Sequence, residues 1–386
     1  MLVLACLALD ASAKRRAVHT PDVFPLHSVE LTSDTRDLAP LQEIVGDATI
    51  VGLGDATHGT HEFFAVKLRL IDYLVREMQF DVLSIEGPFP IFERVNRYVQ
   101  TGEGDPRALL REARTRLLYL FWDVEEMLAV IEWVRAYNLT HERRISIAGA
   151  DIYDYEGAVA GVMAHMPEAE LSCVLRGENT SECLTSARQV RETLVARGAH
   201  PDAIHYADIV LQSFDGQLYE PREEAMAANL LWIREHRGTK VIHWGHQEHV
   251  GKLSSRYTRG RTMGTILAGE DYVAIGTLTG SGSFLQWERS GSIWTEVVRT
   301  FPDPAPGSYE ARYRARGFAA MLVPLRGRSG EASFRTAGTT SGWTTMAQSL
   351  PQKLDAVIYV DVTTPTRPLG TPVSSTGRQA EPPSAR

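Results

Sequence analysis

Two short loops of the sequence concentrate histidine and acidic side chains at spacings that suit water-dependent hydrolysis. The first loop, GLGDATHGTHEFF, places Asp55 and His58 three residues apart in a glycine-rich turn. The second loop, HWGHQEHVGK, places His246 and His249 three residues apart. A neutral histidine can take a proton from water near neutral pH, and a neighbouring carboxylate fixes its tautomer and stabilises the imidazolium that forms. We therefore expect His58 to act as a general base that Asp55 or Glu86 orients.

Acidic side chains also stand where two apolar runs of the chain end. Glu86 ends the run FDVLSIE, and Asp151 ends the run RRISIAGAD. Ligands of open α/β sheets bind beyond the carboxyl ends of the strands, so these acids and the two loops are predicted to meet in one crevice. There His246 and His249 would polarise a substrate carbonyl or stabilise the developing oxyanion. Asp151 is predicted to contact the substrate, although a single acid at such a position is also typical of a helix cap.

Short apolar runs rich in β-branched residues alternate with longer amphipathic segments. Residues 62–78 repeat apolar side chains at three- and four-residue spacing, which predicts a helix packed on a sheet. Because parallel neighbouring strands need a crossover connection, this alternation predicts an α/β fold with a largely parallel central sheet flanked by helices. The runs predicted to be buried strands are 48–54, 80–87, 143–151, 239–245, 271–278, 318–325 and 355–362.

The predicted organisation is one catalytic core with an insertion. Residues 17–151 and 237–365 are predicted to form the α/β core. Residues 152–236 contain no convincing strand pattern and are predicted to be a helical insertion that forms a lid over the carboxyl ends of the strands. Residues 366–386 are rich in proline, serine and charge, which predicts a disordered tail.

The N-terminus and the cysteines leave the cellular location open. Residues 1–16 begin with an apolar run and small residues, as a secretory or truncated signal segment does, but a basic start is missing and Asp10 interrupts the run. Cys173 and Cys183 could close a disulfide loop or remain thiols in a reducing cytosol. The first alternative predicts a secreted or periplasmic protein, and the second a cytoplasmic one.

Composition favours a small molecule as the partner. The chain has 386 residues and a formal net charge of −8, with 40 basic residues spread along its length. A nucleic-acid surface would normally show a basic face or stripe, so nucleic acid is disfavoured as a partner. No apolar stretch reaches the roughly 20 residues needed to span a bilayer. The oligomeric state cannot be predicted from these features.

Motifs of several other enzyme classes are missing from the sequence. It contains no Gly-x-Ser-x-Gly nucleophile elbow, no Walker A loop and no His-Glu-x-x-His. The segment GLGDAT is similar to the opening of a dinucleotide fingerprint, but Thr57 replaces the third glycine and Asp55 would direct a negative charge at a pyrophosphate. The usual serine esterase and a nucleotide-binding protein are therefore disfavoured.

Two further hypotheses use the same side chains. A metal-dependent hydrolase is one of them, because carboxylates and imidazoles bind Zn²⁺ or Mn²⁺. A non-catalytic binding protein for a small molecule is the other, although a binder has no need for a base. The possible metal ligands are Asp55, His58, Glu86, His246 and His249.

These motifs resemble the signature of the erythromycin esterase family. The shared features are a Gly-Leu-Gly-acid-x-x-His-Gly segment at 52–59 followed by Glu-Phe-Phe, an acid at the end of the next strand, and a His-x-x-His loop at 246–249. The likeness extends to RVNRYVQTGEGDPRALL and REEAMAANLLWI, and covers roughly residues 40–280.

The resemblance implies an esterase that needs no metal or cofactor. Such an enzyme opens the lactone ring of a macrolide antibiotic such as erythromycin by water attack, which confers antibiotic resistance. The resemblance implies that His58 is the general base and that Asp55 and Glu86 orient it. His246 and His249 would complete the pocket around the substrate.

The resemblance also places the helix that begins with Arg222 and Glu223 beside the site. Three positions depart from the family pattern. Asp55 stands where the resistance enzymes usually have glutamate, and Gln247 replaces an asparagine. Lys67, predicted to be a substrate contact or a surface lysine, replaces an arginine and so offers a point charge in place of a bidentate fork. These departures bear on the substrate rather than on the predicted base.

Overall fold

A computed structural model describes residues 22–32, 34–117, 119–215, 219–254, 260–269, 271–291, 293–338, 342–370 and 373–374. Within them the chain forms an α/β fold in which helices flank a mostly parallel sheet, as predicted. None of the helices described is long and apolar enough to cross a membrane. The predicted secretory segment, residues 1–16, lies outside the described residues.

The strands of the described ranges are β1 (Phe24–Pro25), β2 (Ile50–Asp55), β3 (Val82–Pro88), β4 (Ser146–Asp151), β5 (Val241–His246), β6 (Tyr272–Ser290), β7 (Ile293–Phe301), β8 (Ala320–Pro324), β9 (Ala332–Ala337), β10 (Trp343–Gln348), β11 (Ala356–Thr363) and β12 (Val373–Ser374). The helices of the same ranges are α1 (Leu41–Val45), α2 (His61–Met78), α3 (Phe89–Thr101), α4 (Pro106–Leu117), α5 (Glu125–Thr140), α6 (Tyr155–His165), α7 (Ser172–Leu175), α8 (Ser181–Ala196), α9 (Pro201–Asp215), α10 (Tyr219–Arg237), α11 (Gln247–Val250), α12 (Met263–Leu267), α13 (Tyr309–Arg314) and α14 (Leu350–Lys353).

The central sheet carries its strands in the order β1-β8-β11-β6-β2-β5-β3-β4. The pairs from β11 to β4 are parallel, whereas β8 pairs antiparallel with both of its neighbours. Every run predicted to be a strand overlaps one of these strands, and each strand begins one to three residues after the predicted start. The strands β2, β3, β4 and β5 therefore bring their carboxyl ends to one edge of the sheet, where Asp55 lies directly beside His246.

The helix predicted for residues 62–78 is α2. Its apolar side chains, among them Phe63, Val66 and Leu70, are buried in the main core. Each such burial stabilises the fold by roughly 1.5–3 kcal/mol. Lys67 lies one turn after Phe63 and is equally buried. Lys67 is therefore not a surface lysine, which was one of the two alternatives for it.

The sequence underestimates the β structure of the C-terminal third. The strand predicted to end at residue 278 continues as β6 to Ser290, pairing antiparallel with β7, and β9 and β10 form a separate antiparallel pair. The run TGSGS within β6 has the composition of a turn. It remains part of the strand because it pairs with β11 and β7, with Gly282 at a φ of 119°. Beyond it, the side chains of Phe284 and Trp287 are buried.

The segment between β4 and β5 is helical in its described part. Helices α6, α7, α8 and α9 share an apolar cluster of their own, and α10 packs against β4. Cys173 and Cys183 are joined in a disulfide bond within this segment. The helical character therefore agrees with the prediction for 152–236, whereas the role of a lid remains a prediction.

The predicted disordered tail is ordered over its first residues. Thr366 and Leu369 donate backbone N–H groups to the carbonyl oxygens of Gly59 and Asp123, each at 3.0 Å. β12 pairs with β7. Proline and serine do not prevent this order because the partners lie on the core and not within the segment itself. The prediction is thus wrong for residues 366–370, and most of the remaining tail lies outside the described part of the chain.

His61 links this segment to the start of α2. Its Nδ1 lies 2.8 Å from Oε1 of Glu126 and its Nε2 lies 3.0 Å from Oε1 of Glu30, while Arg367 binds Glu126 as well. The hydrogen bond with Glu126, opposed in part by burial, raises the pKa of His61 from 6.5 to about 9. Because the folded-state pKa is the higher one, this stabilisation is complete below pH 6.5 and is lost as the pH rises through 9.

We expect His61→Gln to lower the free energy of unfolding by about 1 kcal/mol at about pH 6, after allowance for solvent screening, and by less at about pH 10. Chemical denaturation at both pH values measures the difference. An equal loss at the two pH values would contradict a charged bridge at His61.

Candidate active site

The backbone of the first loop is fixed on both sides of His58. A Cβ built on Gly59 would lie 1.8 Å from the carbonyl oxygen of Leu285, so β6 approaches too closely for any residue but glycine. The Gly59 carbonyl accepts the N–H of Leu285 at 2.8 Å. On the other side, the Ala56 carbonyl accepts the N–H of Ala337 at 2.7 Å.

His58 lies between two carboxylates. Its Nδ1 is 3.0 Å from Oδ1 of Asp55, and its Nε2 is 3.8 Å from Oε2 of Glu86. Phe121 stacks on the ring with centroids 4.2 Å apart, and Trp122 contacts it edge-on at 5.4 Å. The ring is only 5% exposed. The stacking fixes the ring plane, with Nδ1 on the side of Asp55 and Nε2 on the side of Glu86, although the contact between Nδ1 and Oδ1 of Asp55 lacks the geometry of a hydrogen bond.

Asp55 and Lys67 form a buried ion pair. The Lys67 Nζ lies 2.5 Å from Oδ2 of Asp55, and the Trp244 indole N–H donates to the same oxygen at 3.1 Å. Burial would raise the pKa of Asp55, but Lys67 and His58 hold it below its usual value. Burial lowers the pKa of Lys67 to about 8, although Asp55 opposes this change. Lys67 thus belongs to the site and acts directly on Asp55.

Glu86 occupies the centre of the cluster. Its Oε2 accepts the backbone N–H of His246 at 2.7 Å, and its Oε1 lies 3.1 Å from Nη2 of Arg222 and 3.3 Å from Nε2 of His249. The Trp122 indole N–H donates to the Glu86 carbonyl at 2.7 Å. Burial would raise the pKa of Glu86, but the neighbouring cations, His249 first, hold it well below its usual range. Glu86 is therefore a permanent negative charge.

Arg222 on α10 is a site residue to which the sequence assigned no role. Its Nε lies 3.1 Å and its Nη2 2.5 Å from the two carboxylate oxygens of Asp151. The Tyr119 hydroxyl donates to the same carboxylate, and the Tyr153 ring lies 5.0 Å from the guanidinium. Asp151 is thus the partner of Arg222 and Tyr119, not a helix cap. One feature of the sequence could have indicated Arg222 as a site residue: it stands next to Glu223 near the start of a helix that the family resemblance places beside the site.

His249 is a cation of the site. Its Nδ1 contacts Oε1 of Glu223, and its Nε2 lies 3.3 Å from Oε1 of Glu86. Burial would lower the pKa of His249, but these two carboxylates raise it to about 10. Glu223 also accepts the backbone N–H of Met263 at 2.7 Å, which ties α10 to α12. At neutral pH His249 is therefore an imidazolium and not a base.

His246 is neutral, and protein groups engage both of its ring nitrogens. Its Nδ1 accepts the N–H of Glu248 at 3.3 Å, where α11 begins. Its Nε2 lies 3.3 Å from both the Ala337 carbonyl and the Thr336 hydroxyl. Burial lowers the pKa of His246 to about 4. Thr336 and Ala337 belong to β9, for which no site residue was predicted, because a strand without acids or histidines carries no chemical signal.

The buried charges mostly alternate in sign across the site, although Nη1 of Arg222 and Nε2 of His249, both on basic side chains, lie 3.3 Å apart. Starting from α2, neighbouring side chains follow one another in the order Lys67, Asp55, His58 and Glu86. Glu86 then contacts two basic side chains, Arg222 and His249. Each of these binds an outer carboxylate: Arg222 binds Asp151, and His249 binds Glu223. Four carboxylates thus face three basic side chains besides His58. A neutral His58 leaves one negative charge unbalanced, and a protonated His58 completes the alternation.

The donor set does not fit a resident metal ion. Within the part of the chain that the structure describes, no three His, Cys, Asp or Glu side chains are grouped to hold one. Lys67 and Arg222 lie against Asp55 and Glu86, the carboxylates that a divalent cation would need. Their positive charges would repel such an ion.

Aromatic rings lead from His58 towards the surface. Phe121 stacks on His58. The ring centroids of Tyr119 and Phe121 are 5.4 Å apart, and those of Tyr153 and Tyr119 are 6.0 Å apart. Tyr153 is 41% exposed and marks the outer end of this row. Faces of this kind suit an apolar or ring-shaped part of a ligand.

Sequence comparison relates the chain to hydrolases. It matches the family model described as erythromycin esterase over residues 75–206 and 177–363. It is 22% identical over 442 residues to YbfO of Bacillus subtilis (strain 168), which bears the name of a hydrolase, with 94% of this chain and 96% of that protein covered. It is 28% identical over 116 residues to erythromycin esterase type II of Escherichia coli, a match that covers 30% of this chain and 26% of that protein.

Solved structures share the fold. A Bacillus cereus protein is 25% identical and superimposes with a TM-score of 0.78, covering 90% of this chain and 96% of its own. A mutant of the erythromycin esterase EreC, solved in its open conformation, is 18% identical and superimposes with a TM-score of 0.65, covering 88% and 96%.

We expect the His249 ring to remain protonated at about pH 8, and Glu223→Gln to lower its pKa, because the substitution removes a buried negative charge. Nuclear magnetic resonance of isotope-labelled histidine side chains measures both. His200, an exposed histidine, is the internal reference. Titration of wild-type His249 near 6.5, its ordinary value, would contradict the arrangement.

Proposed function

The chain belongs to the erythromycin esterase family of hydrolases, and we propose that it hydrolyses an ester with a water molecule that His58 activates. In this proposal Asp55 and Glu86 are the carboxylates that orient and charge-balance the base. Arg222 and His249 are the electrophilic groups that face the substrate.

The position of His58 in the alternation of buried charge carries this proposal. Asp55 faces one ring nitrogen and Glu86 faces the other, and each carboxylate is held ionised by a cation on its far side. Both flanking charges stabilise an imidazolium more than a neutral ring. His58 therefore lies between two negative charges, one beside each ring nitrogen, which is the setting that a general base needs.

The reaction balances with these groups alone. Water gives a proton to Nε2 of His58, and its oxygen bonds to the carbonyl carbon of the ester. The carbonyl oxygen becomes an oxyanion, which Arg222 and His249 stabilise. When the intermediate collapses, the bond to the alcohol oxygen breaks, and the His58 imidazolium returns its proton to the leaving alkoxide. Asp55 faces Nδ1 throughout and keeps the ring in the tautomer that this cycle requires.

His246 takes a positioning role in this scheme instead of the direct substrate contact predicted for it. Its Nδ1 accepts the N–H of Glu248 in the first turn of α11, and its Nε2 contacts the Ala337 carbonyl on β9. The neutral ring therefore connects the second loop to the C-terminal third of the chain. Its backbone N–H fixes Glu86.

We take a macrolide lactone, such as that of erythromycin, as the substrate. Family membership and the similarity to the Escherichia coli erythromycin esterase support this choice. The row of rings from His58 to Tyr153 offers apolar faces for a macrocycle. Ring opening would inactivate the antibiotic.

A lid built from the segment 152–236 fits the same scheme. Its last helix, α10, brings Arg222 and Glu223 to the site, and Tyr153 precedes its first helix, α6, at the outer end of the aromatic row. Movement of this segment would therefore displace both Arg222, which faces the substrate, and Tyr153, at the outer end of the aromatic row.

We expect His58→Ala to lower kcat/KM for the hydrolysed ester by about 10²–10⁴, the usual contribution of a general base. Mass spectrometry of a panel of macrolides and simple esters detects the gain of one water. His200→Ala removes an exposed histidine and serves as the matched control with unchanged turnover.

Turnover measured with and without a metal chelator distinguishes the proposed hydrolase from a metal-dependent hydrolase and from a binding protein. Turnover that depends on His58 and is indifferent to chelator supports it. Loss with chelator and recovery with Zn²⁺ or Mn²⁺ would establish a metal-dependent hydrolase instead. Ligand binding without turnover, unchanged in His58→Ala, would indicate a binding protein.

A further inference from the structure

His243 is a buried histidine next to the site that takes no part in the scheme above. It lies on β5 with no exposed surface, and its Nδ1 is 3.1 Å from the Ser84 hydroxyl on β3. Its Nε2 has no hydrogen-bond partner among the described residues. A buried polar nitrogen without a partner is costly, and a bound water is one of the partners that removes this cost.

Gly245 shows where such a partner would bind. A Cβ built on this residue would lie 3.0 Å from Nε2 of His243 and 3.1 Å from Oε2 of Glu86. Both atoms therefore border the position of the missing side chain of Gly245, at distances shorter than most Cβ contacts. They are too far apart for a direct hydrogen bond and close enough for a single water to reach both. This Glu86 oxygen is the one that faces Nε2 of His58.

We propose that a buried water bridges Nε2 of His243 and Oε2 of Glu86, and that His243 acts through it as a positioning residue for the base. The role in catalysis rests on the proposed function, whereas the bridge itself does not. With the Ser84 hydroxyl donating to Nδ1, the His243 ring carries its proton on Nε2 and donates towards Glu86 through the water.

The bridge would moderate the proton affinity of His58. A donor on Oε2 draws negative charge away from the side of Glu86 that faces His58, so the imidazolium is stabilised less than by an unbridged carboxylate. A base that holds its proton too strongly cannot return it to the leaving group. The other charged groups that face His243 or Glu86 are His249, Lys67, Asp151 and Arg222, and the variants below leave all of them in place.

Titration of the His58 ring by nuclear magnetic resonance tests the proposal without any substrate. Gly245→Ala fills the space and His243→Leu removes the donor, so each is expected to move the His58 midpoint upward by ~0.5 pH unit or more. His243→Gln keeps an amide donor and is expected to stay near wild type. Gly269→Ala, whose built Cβ meets nothing within 4 Å, is the matched glycine control.

A crystal structure of the wild type supplies the second readout, in which a water is expected at about 2.7–3.2 Å from both atoms. An unchanged His58 midpoint in folded Gly245→Ala and His243→Leu would overturn the proposal, as would density without that water. If Gly245→Ala does not fold, the Leu and Gln variants of His243 decide. Absence of ester turnover by the wild type would refute the proposed function and leave both readouts of the bridge intact.

Discussion

The requirement that buried charges be balanced governs the structure around the site. A carboxylate removed from water costs several kcal/mol unless a cation or several hydrogen-bond donors compensate it. Three parallel strands carry acids at or near their carboxyl ends on the same edge of the sheet, and these acids are Asp55, Glu86 and Asp151. They are buried together with basic side chains against them: Lys67 lies on Asp55, and Arg222 lies between Glu86 and Asp151.

The balancing groups come from distant parts of the chain. Lys67 is delivered by α2, directly after the first loop, whereas Arg222 and Glu223 are delivered by α10, after the long helical segment. Displacement of α10 would leave Asp151 and Glu86 without their guanidinium and His249 without its carboxylate. The docking of this helix and the protonation states in the site are therefore coupled, and a ligand that moves the helix would also change the charge around His58.

The C-terminal third closes the site without contributing an acid or a histidine to it. β6 fixes Gly59, β9 contacts His246, and Thr366 binds the first loop through a backbone hydrogen bond to Gly59. Because these contacts use main-chain groups and the Thr336 hydroxyl, their residue types carry little chemical information. The same reasoning explains why the extension of β6 and the order of residues 366–370 could not be predicted, since both depend on partners far away in the sequence.

The sequence by itself determined the class of fold and the location of the site. Alternating apolar runs predict strands and helices locally, and parallel strands necessarily bring their carboxyl ends to one edge, so Asp55, Glu86 and His246 could be expected to meet. Only the tertiary structure decided what each group does. His246 and His249 are three residues apart and indistinguishable by type, yet burial lowers the pKa of His246, whereas two carboxylates in contact with His249 raise its pKa. The pKa of a side chain depends on the charges packed around it, and these are set by the docking of β9 and α10.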